Sequence, residues 1–330
     1  MVKDISQLKK ILIIRLSSMG DILLATPLIR SMKNQNPAAE IDFVVKEEFF
    51  EVIMNNPHLS NIFKYSKQSS EKQKLIDSLI SRNYEIIIDL QNNRRSAELT
   101  SKLHAKKFRF KKNHFKKFLL VHFKFNRLKN SPQIPIRYAA AVGINLDDDG
   151  LEIFTNDVAD TKLKLNEKYV GLCPGAKHFT KRWPKEYFIE LGKNLEMNGF
   201  KVVLFGGKDE RKTLDDIAGE LKEPINLCND SIFKTAANMK MCNLIYTNDS
   251  GAMHLASSVK IPIIAFFGST VREFGFFPYK AQNVVIEIDN LPCRPCTHIG
   301  RKSCPLTHFK CMRDITPEIA FTSIKRLQTS

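Results

Sequence analysis

The sequence predicts an α/β protein built from two doubly wound domains. Short apolar runs of strand length alternate with longer segments whose apolar residues recur every three or four positions, as strands alternating with helices do. The alternation runs twice, over residues 11–90 and again over residues 169–267, with an acidic stretch between. A chain of 330 residues is long for one core and ample for two. In such a chain each helix crosses from one parallel strand to the next, so two parallel sheets covered by helices are expected.

In the first series, strands are expected at Ile11–Arg15, Ile41–Val45, Ile62–Tyr65 and Ile86–Leu90. A helix over Asp21–Lys33 puts Ile22, Ala25, Leu28, Ile29 and Met32 on one face. Pro27 lacks the donor that a continuous helix needs, so a kink or a restart is expected at Thr26. Glu71–Ser81 is a second helix. The second series gives strands at Tyr169–Cys173, Lys201–Phe205, Leu244–Thr247 and Pro262–Phe267, and helices at Pro184–Met197, Asp209–Leu221 and Gly251–Val259. Thr316, Pro317 and Glu318 supply a hydroxyl cap, a proline at the first helical position and an acid near the dipole, which together open a closing helix. The boundary is expected within 145–168. That gives a first domain of residues 1–155, a second of 156–315, and a terminal helix, 316–330, free to pack back on the first.

Apolar residues make up 43% of the chain and charged residues 26%, the balance of a soluble globular protein. No apolar run approaches the roughly 18 residues a membrane span needs, and Arg15 stops the N-terminal run well short of a secretory signal. A cytoplasmic location is expected. Seven cysteines, an odd number, fit a reducing compartment. The net charge of +16 is concentrated: from Lys102 to Lys129 there are eleven Lys or Arg residues and no acid, interleaved with Phe and His. The plain reading is a solvated basic face with its phenylalanines turned inward. The functional one is a surface for a polyanion, carried by Lys106, Lys107, Arg109, Lys111, Lys112, Lys116 and Lys117. Arginine is scarce there and no nucleic-acid motif appears, so a membrane or lipid surface ranks ahead of nucleic acid.

Open α/β sheets bind ligands beyond the carboxyl ends of their strands. Four loops stand there, and with two domains the site is expected in a cleft between them. In Thr247–Ala256, Gly251 lets a ligand approach the backbone and a helix start offers free N–H groups to an anion. His254 lies near the same mouth, while Asp249 and Ser250 read either as ligands or as turn and cap residues. In Pro174–Pro184, Lys177, Lys181 and Arg182 suit a diphosphate, and Trp183, the only tryptophan, is expected to be a buried anchor. In Gly206–Glu210, Asp209 or Glu210 could accept from a ribose hydroxyl or be ordinary first-turn acids. The loop Arg15–Asp21 lacks the G-x-G-x-x-G and P-loop patterns, which argues against NAD or ATP held in those ways. It leaves Asp21 as a helix cap or as an acid facing the second substrate. Finally, Cys293, Cys296, Cys304 and Cys311 fall within nineteen residues. The first pair has zinc-ligand spacing and the second is too far apart for a standard ribbon, so a structural zinc, with His298 or His308 able to substitute for a cysteine, stands beside simple packing.

Taken together, RLSSMGDILLATPLIRSMK, PGAKHFTKRWP, TNDSGAMHLASSVKIPIIAFFGST and CRPC…CPLTHFKCMRDITPE resemble, in order and spacing, the family 9 glycosyltransferases, the lipopolysaccharide heptosyltransferases. The closing cysteine segment is most similar to the second-heptosyltransferase branch. The resemblance spans nearly the whole chain. It implies a GT-B-type fold of two Rossmann-like domains facing a cleft. It implies an inverting, metal-independent transfer from ADP-heptose to a lipid A–core acceptor, in lipopolysaccharide biosynthesis at the inner face of the cytoplasmic membrane. By that resemblance Asp21 is the general base. Lys181, Asp249, Ser250, Gly251 and His254 bind the donor, and Glu210, or Asp209, takes the ribose. The chain departs from some members in carrying Ala176 and Lys177 where they have two threonines. Another nucleotide sugar or acceptor is the alternative within the family, and a non-catalytic membrane- or nucleic-acid-binding protein the alternative outside it.

Overall fold

The computed structural model describes residues 7–155 and 162–327. The chain divides into two compact units, one of residues 1–112 and 134–154 and one of residues 113–133 and 155–330. The boundary expected after residue 155 adjoins 156–161, which lie outside the described residues.

The first unit holds strands β1 (Lys10–Ile14), β2 (Glu40–Lys46), β3 (Asn61–Tyr65), β4 (Ile86–Asp89) and β5 (Lys106–Arg109). All pair in parallel, in the order β3-β2-β1-β4-β5. The central strand β1 is apolar throughout from Ile11 to Ile14 because helices cover both faces. The expected helix after β1 is two, Met19–Leu23 and Thr26–Gln35. The restart falls at Thr26, with Pro27 in the first turn, where its missing N–H would have had no partner. The acidic stretch has a local use: Asp147 and Glu152 both pair with Arg30 on the second of these helices. Strand β5 was hidden inside the basic run. It buries only Phe108 and leaves Lys106, Lys107 and Arg109 exposed, so charge masked the strand.

The second unit holds β6 (Tyr169–Cys173), β7 (Lys201–Gly206), β8 (Ile225–Cys228), β9 (Leu244–Asn248), β10 (Ile263–Phe267) and β11 (Asn283–Glu287). They form one parallel sheet in the order β11-β10-β9-β6-β7-β8. Its edge strands β8 and β11 are short and only partly buried, which is why apolar runs did not reveal them. Trp183 is the buried anchor expected. Its ring stacks on Phe266 at 4.3 Å and its Nε1 donates to the Ile315 carbonyl at 2.8 Å. Thr316 caps the helix Pro317–Thr322 by accepting from the Ile319 amide. That helix belongs to the second unit and packs against the helix Lys185–Met197. Among the described residues no helix is long and apolar enough to cross a membrane.

Candidate functional site

Each sheet has a topological switch point, where strands lead away in opposite directions from two neighbours. Ligands of doubly wound folds sit beyond the carboxyl ends of such pairs. In the first unit the pair is β1 and β4; in the second it is β6 and β9.

Beyond β1, the Leu16 amide donates to Gln91 Oε1 at 2.9 Å and Arg15 Nη1 donates to the Leu90 carbonyl at 2.7 Å. The loops after β1 and β4 are thereby tied together. Asp21 stands on this platform with both carboxylate oxygens engaged. Its Oδ2 accepts from the Ser18 amide (3.1 Å) and hydroxyl (2.9 Å), a back-reaching cap. Its Oδ1 lies 2.6 Å from Arg15 Nη2, and the side chain keeps 20% exposure. Burial alone would raise the carboxyl's pKa. The Arg15 guanidinium and the Ser18 donors outweigh it and hold Asp21 below its ordinary range. Lys112, expected on the basic surface, is half-buried, and its ammonium feels Arg15, Asp89 and Asp21. Burial and the Arg15 charge push its pKa down. It belongs with the Asp21 platform and not with the solvated patch.

Beyond β6 and β9 the logic is reversed. Asn248 ends β9; its Nδ2 donates to the Pro174 carbonyl at 2.8 Å and its Oδ1 accepts from the Trp183 amide at 2.9 Å. One buried amide thus fixes both ends of the loop that carries Lys181. Lys181 Nζ sits 2.7 Å from Asp249 Oδ2, which also accepts from Thr270 Oγ1 at 2.6 Å. Asp249 is therefore an ion-pair partner and does not cap the next helix. The helix Gly251–Ser258 starts at Ser250 with no side-chain cap, so its first N–H groups are available. The Ser250 hydroxyl is buried and makes no hydrogen bond among the described residues. His254 is buried one turn further along. Lone N–H donors, a lysine and a dipole's positive end together suit a phosphate group.

Glu210 and Asp209 separate clearly. Asp209 is exposed. Glu210 turns inward and accepts from the Gly207 amide at 2.9 Å. A Cβ on Gly175 would lie 1.7 Å from Glu210 Oε1, so the glycine makes room for this carboxylate beside the Lys181 loop.

The cysteine segment braces these loops. Arg301 N donates to Thr180 Oγ1 at 2.8 Å, Phe309 stacks on Phe179 at 4.8 Å, and Arg294 donates to the Gly268 and Thr270 carbonyls at 2.6 and 2.9 Å. Cys293, Cys296, Cys304 and Cys311 line one cavity of about 30 Å³ together with His308. All are free thiols, and among the described residues no group of three or more His, Cys, Asp or Glu side chains is disposed to hold a metal ion. Burial pushes the Cys311 thiol up to about 12. Bracing through Arg294, Arg301 and Phe309 is the role the contacts give this segment.

Sequence reasoning missed Arg15, Gln91, Thr270 and Arg294. Thr270 follows the end of β10, so the rule that picked the other loops could have found it. Arg15 had been read only as the stop of an apolar run. Of the remaining basic candidates, Lys106, Lys107, Arg109, Lys111 and Lys116 are exposed, whereas Lys117 Nζ lies 5.8 Å from the Phe274 ring centroid.

The chain is similar to known proteins. Residues 72–307 match the model of glycosyltransferase family 9 (heptosyltransferase). A lipooligosaccharide heptosyltransferase 2 of Campylobacter jejuni is 38% identical over 174 residues, 51% of this chain and 54% of that protein, so the match spans about half the relative's length. The solved family 9 glycosyl transferase of Veillonella parvula superposes with a TM-score of 0.82 at 24% identity, covering 99% of this chain and 98% of that one. The E. coli ADP-heptose lipopolysaccharide heptosyltransferase II gives 0.75 at 23%, covering 96% and 98%. These two likenesses show a shared fold, the GT-B-type pair of parallel sheets that the sequence predicts. With most of the chain inside the family model, and the phosphate-suited loops inside the matched span, the protein belongs to glycosyltransferase family 9.

Proposed function

We propose that the protein transfers a heptose from ADP-heptose to the lipid A–core oligosaccharide during lipopolysaccharide biosynthesis, with inversion at the anomeric carbon. The observation that carries the reading is the helix start at Ser250–Gly251, uncapped and flanked by Lys181. It is a site for the charge of a leaving diphosphate. Asp21 takes the proton of the acceptor hydroxyl, and that oxygen bonds to the anomeric carbon as the bond to the diphosphate breaks. ADP departs with its charge met by Lys181, His254 and the N–H groups of the helix Gly251–Ser258. Glu210 accepts from the ribose. With that positive charge in place the reading assigns no step to a metal.

Asp21 bound to Arg15 is ionised but a weak base. In this reading the acceptor hydroxyl displaces a Ser18 donor, and the water lost on binding raises the carboxylate's basicity. Lys181 likewise exchanges Asp249 for phosphate oxygens, leaving Thr270 to hold Asp249 in place. The enzyme is read as cytoplasmic, meeting an acceptor whose lipid lies in the inner membrane. Purified protein given ADP-heptose and a truncated lipooligosaccharide should yield acceptor heavier by one heptose. Consumption of a different nucleotide sugar in its place would change the donor. Absence of both transfer and any ADP-induced rise in melting temperature would favour a non-catalytic binding protein.

A further inference from the structure

The helix His114–Phe123 lies in the basic run, yet it belongs to the second unit. Its two faces are sharply different. On one, Leu120 and Val121 pack with Leu128 and Phe274, and Lys117 lies over the Phe274 and Phe276 rings. Lys124 closes the helix, its Nζ donating to the Val121, Cys293 and Pro295 carbonyls. These contacts fix the helix on the cysteine segment. They also turn two of its lysines to anchoring.

The other face carries phenylalanines. Phe115, Phe118, Phe123 and Phe125 are 69%, 49%, 67% and 52% exposed. Four of the thirteen large apolar side chains that the described residues leave exposed thus fall within eleven positions. The expectation that these rings turn inward fails, because Leu120 and Val121 already occupy the inner face. The rings are grouped: Phe118 lies 4.6 Å from His122 and 5.9 Å from Phe123, centroid to centroid. Exposed Lys116, Arg127 and Lys129 flank them, Arg127 over the Phe125 ring at 5.0 Å, and no acid occurs between Lys102 and Lys129. A cluster of water-exposed rings costs free energy unless something covers it.

We propose that this face docks on an anionic lipid bilayer, with the four phenylalanines entering the headgroup–acyl boundary and Lys116, Arg127 and Lys129 meeting lipid phosphates. Bulky rings bordered by lysine on the outer side of a short amphipathic helix fit that interface. A single arginine among residues 113–133 fits nucleic acid less well. The proposal deepens the reading of a lipid-linked acceptor and rests on it for its purpose. It assigns docking to the unit that also carries Lys181, not to basic charge alone.

The test is flotation of the full chain with vesicles of phosphatidylcholine alone or rich in phosphatidylglycerol, for the parent and for a variant carrying Phe115→Ser, Phe118→Ser, Phe123→Ser and Phe125→Ser. Transfer to a de-acylated, soluble acceptor is measured beside it. The parent should bind the anionic vesicles, and the variant roughly tenfold or more weakly even at low salt. Transfer to the soluble acceptor should be unchanged. Two results overturn the proposal: a variant that floats like the parent, or a parent that is dimeric in solution and becomes monomeric in the variant. Loss of transfer by the parent on every acceptor would instead remove the catalytic reading, and the flotation result would still decide the docking one.

Discussion

At the switch point of the first sheet an arginine from the strand end holds a carboxylate. At that of the second sheet a carboxylate from the strand end holds a lysine. The two platforms are built alike, each with a side-chain amide, Gln91 or Asn248, joining the loops beyond two central strands. They differ in what they leave available. Beside Asp21 the nearest cation is buried and spent on Asp21 and the Leu90 carbonyl, so the group offered outward is an anion able to take a proton. Beside Asp249 the helix mouth has no side-chain cap and Lys181 stands next to it, so in the proposed reading positive charge is offered. On the proposed reading, one topology thus serves a proton acceptor in one unit and an anion site in the other, and a few side chains decide which.

If this division is right, substitutions on the two sides should fail differently. The largest effect is expected from Asp21→Asn, which keeps the shape and a partner for Ser18 but cannot take a proton. Transfer should fall about 10²- to 10⁴-fold in a single-turnover assay. Lys181→Ala should come next. Losing one charge-assisted contact, it should weaken ADP binding by roughly ten- to a hundredfold and abolish most of the ADP-induced rise in melting temperature.

Gly175→Ala is gentler. The added methyl pushes away the far end of Glu210, a flexible side chain, so folding should be little changed while ADP affinity drops several-fold. Calorimetric titration and thermal melting of the same preparation would separate the two effects. The smallest effect is expected from Arg15→Lys, which keeps the charge and loses the forked geometry. Because Arg15 holds the Asp21 pKa down, the parent should keep transferring until pH falls below the ordinary carboxylate range. In the lysine variant the acid limb should move to higher pH. The stability that this depressed carboxyl contributes has the same sign. It is present above the unfolded-state pKa and lost as pH falls through the folded-state one.

The comparison also explains what was legible in the sequence. Strands buried on both faces, such as β1, β6, β9 and β10, announce themselves as apolar runs, and the loops beyond them could be chosen by rule. Asp21, Lys181 and Glu210 were chosen that way, and the family resemblance implied their roles. The edge strands β8 and β11 were not, since half-exposed strands are mixed in composition, and β5 was read as charge. Partnerships were invisible. Thr270 and Lys181 meet Asp249 from segments that only the fold brings together, and Arg15 meets Asp21 only through the conformation of the loop they share. Lys112 shows the same limit from the other side: its neighbours in sequence are surface lysines, and its neighbours in space are Arg15, Asp89 and Asp21.

The most direct test of the division of labour is the affinity of ADP for the Asp21→Asn protein, titrated on a preparation that has lost transfer. The account predicts a dissociation constant within about twofold of the parent's, because the anion site is built without Asp21. A weakening as large as that of Lys181→Ala would contradict it.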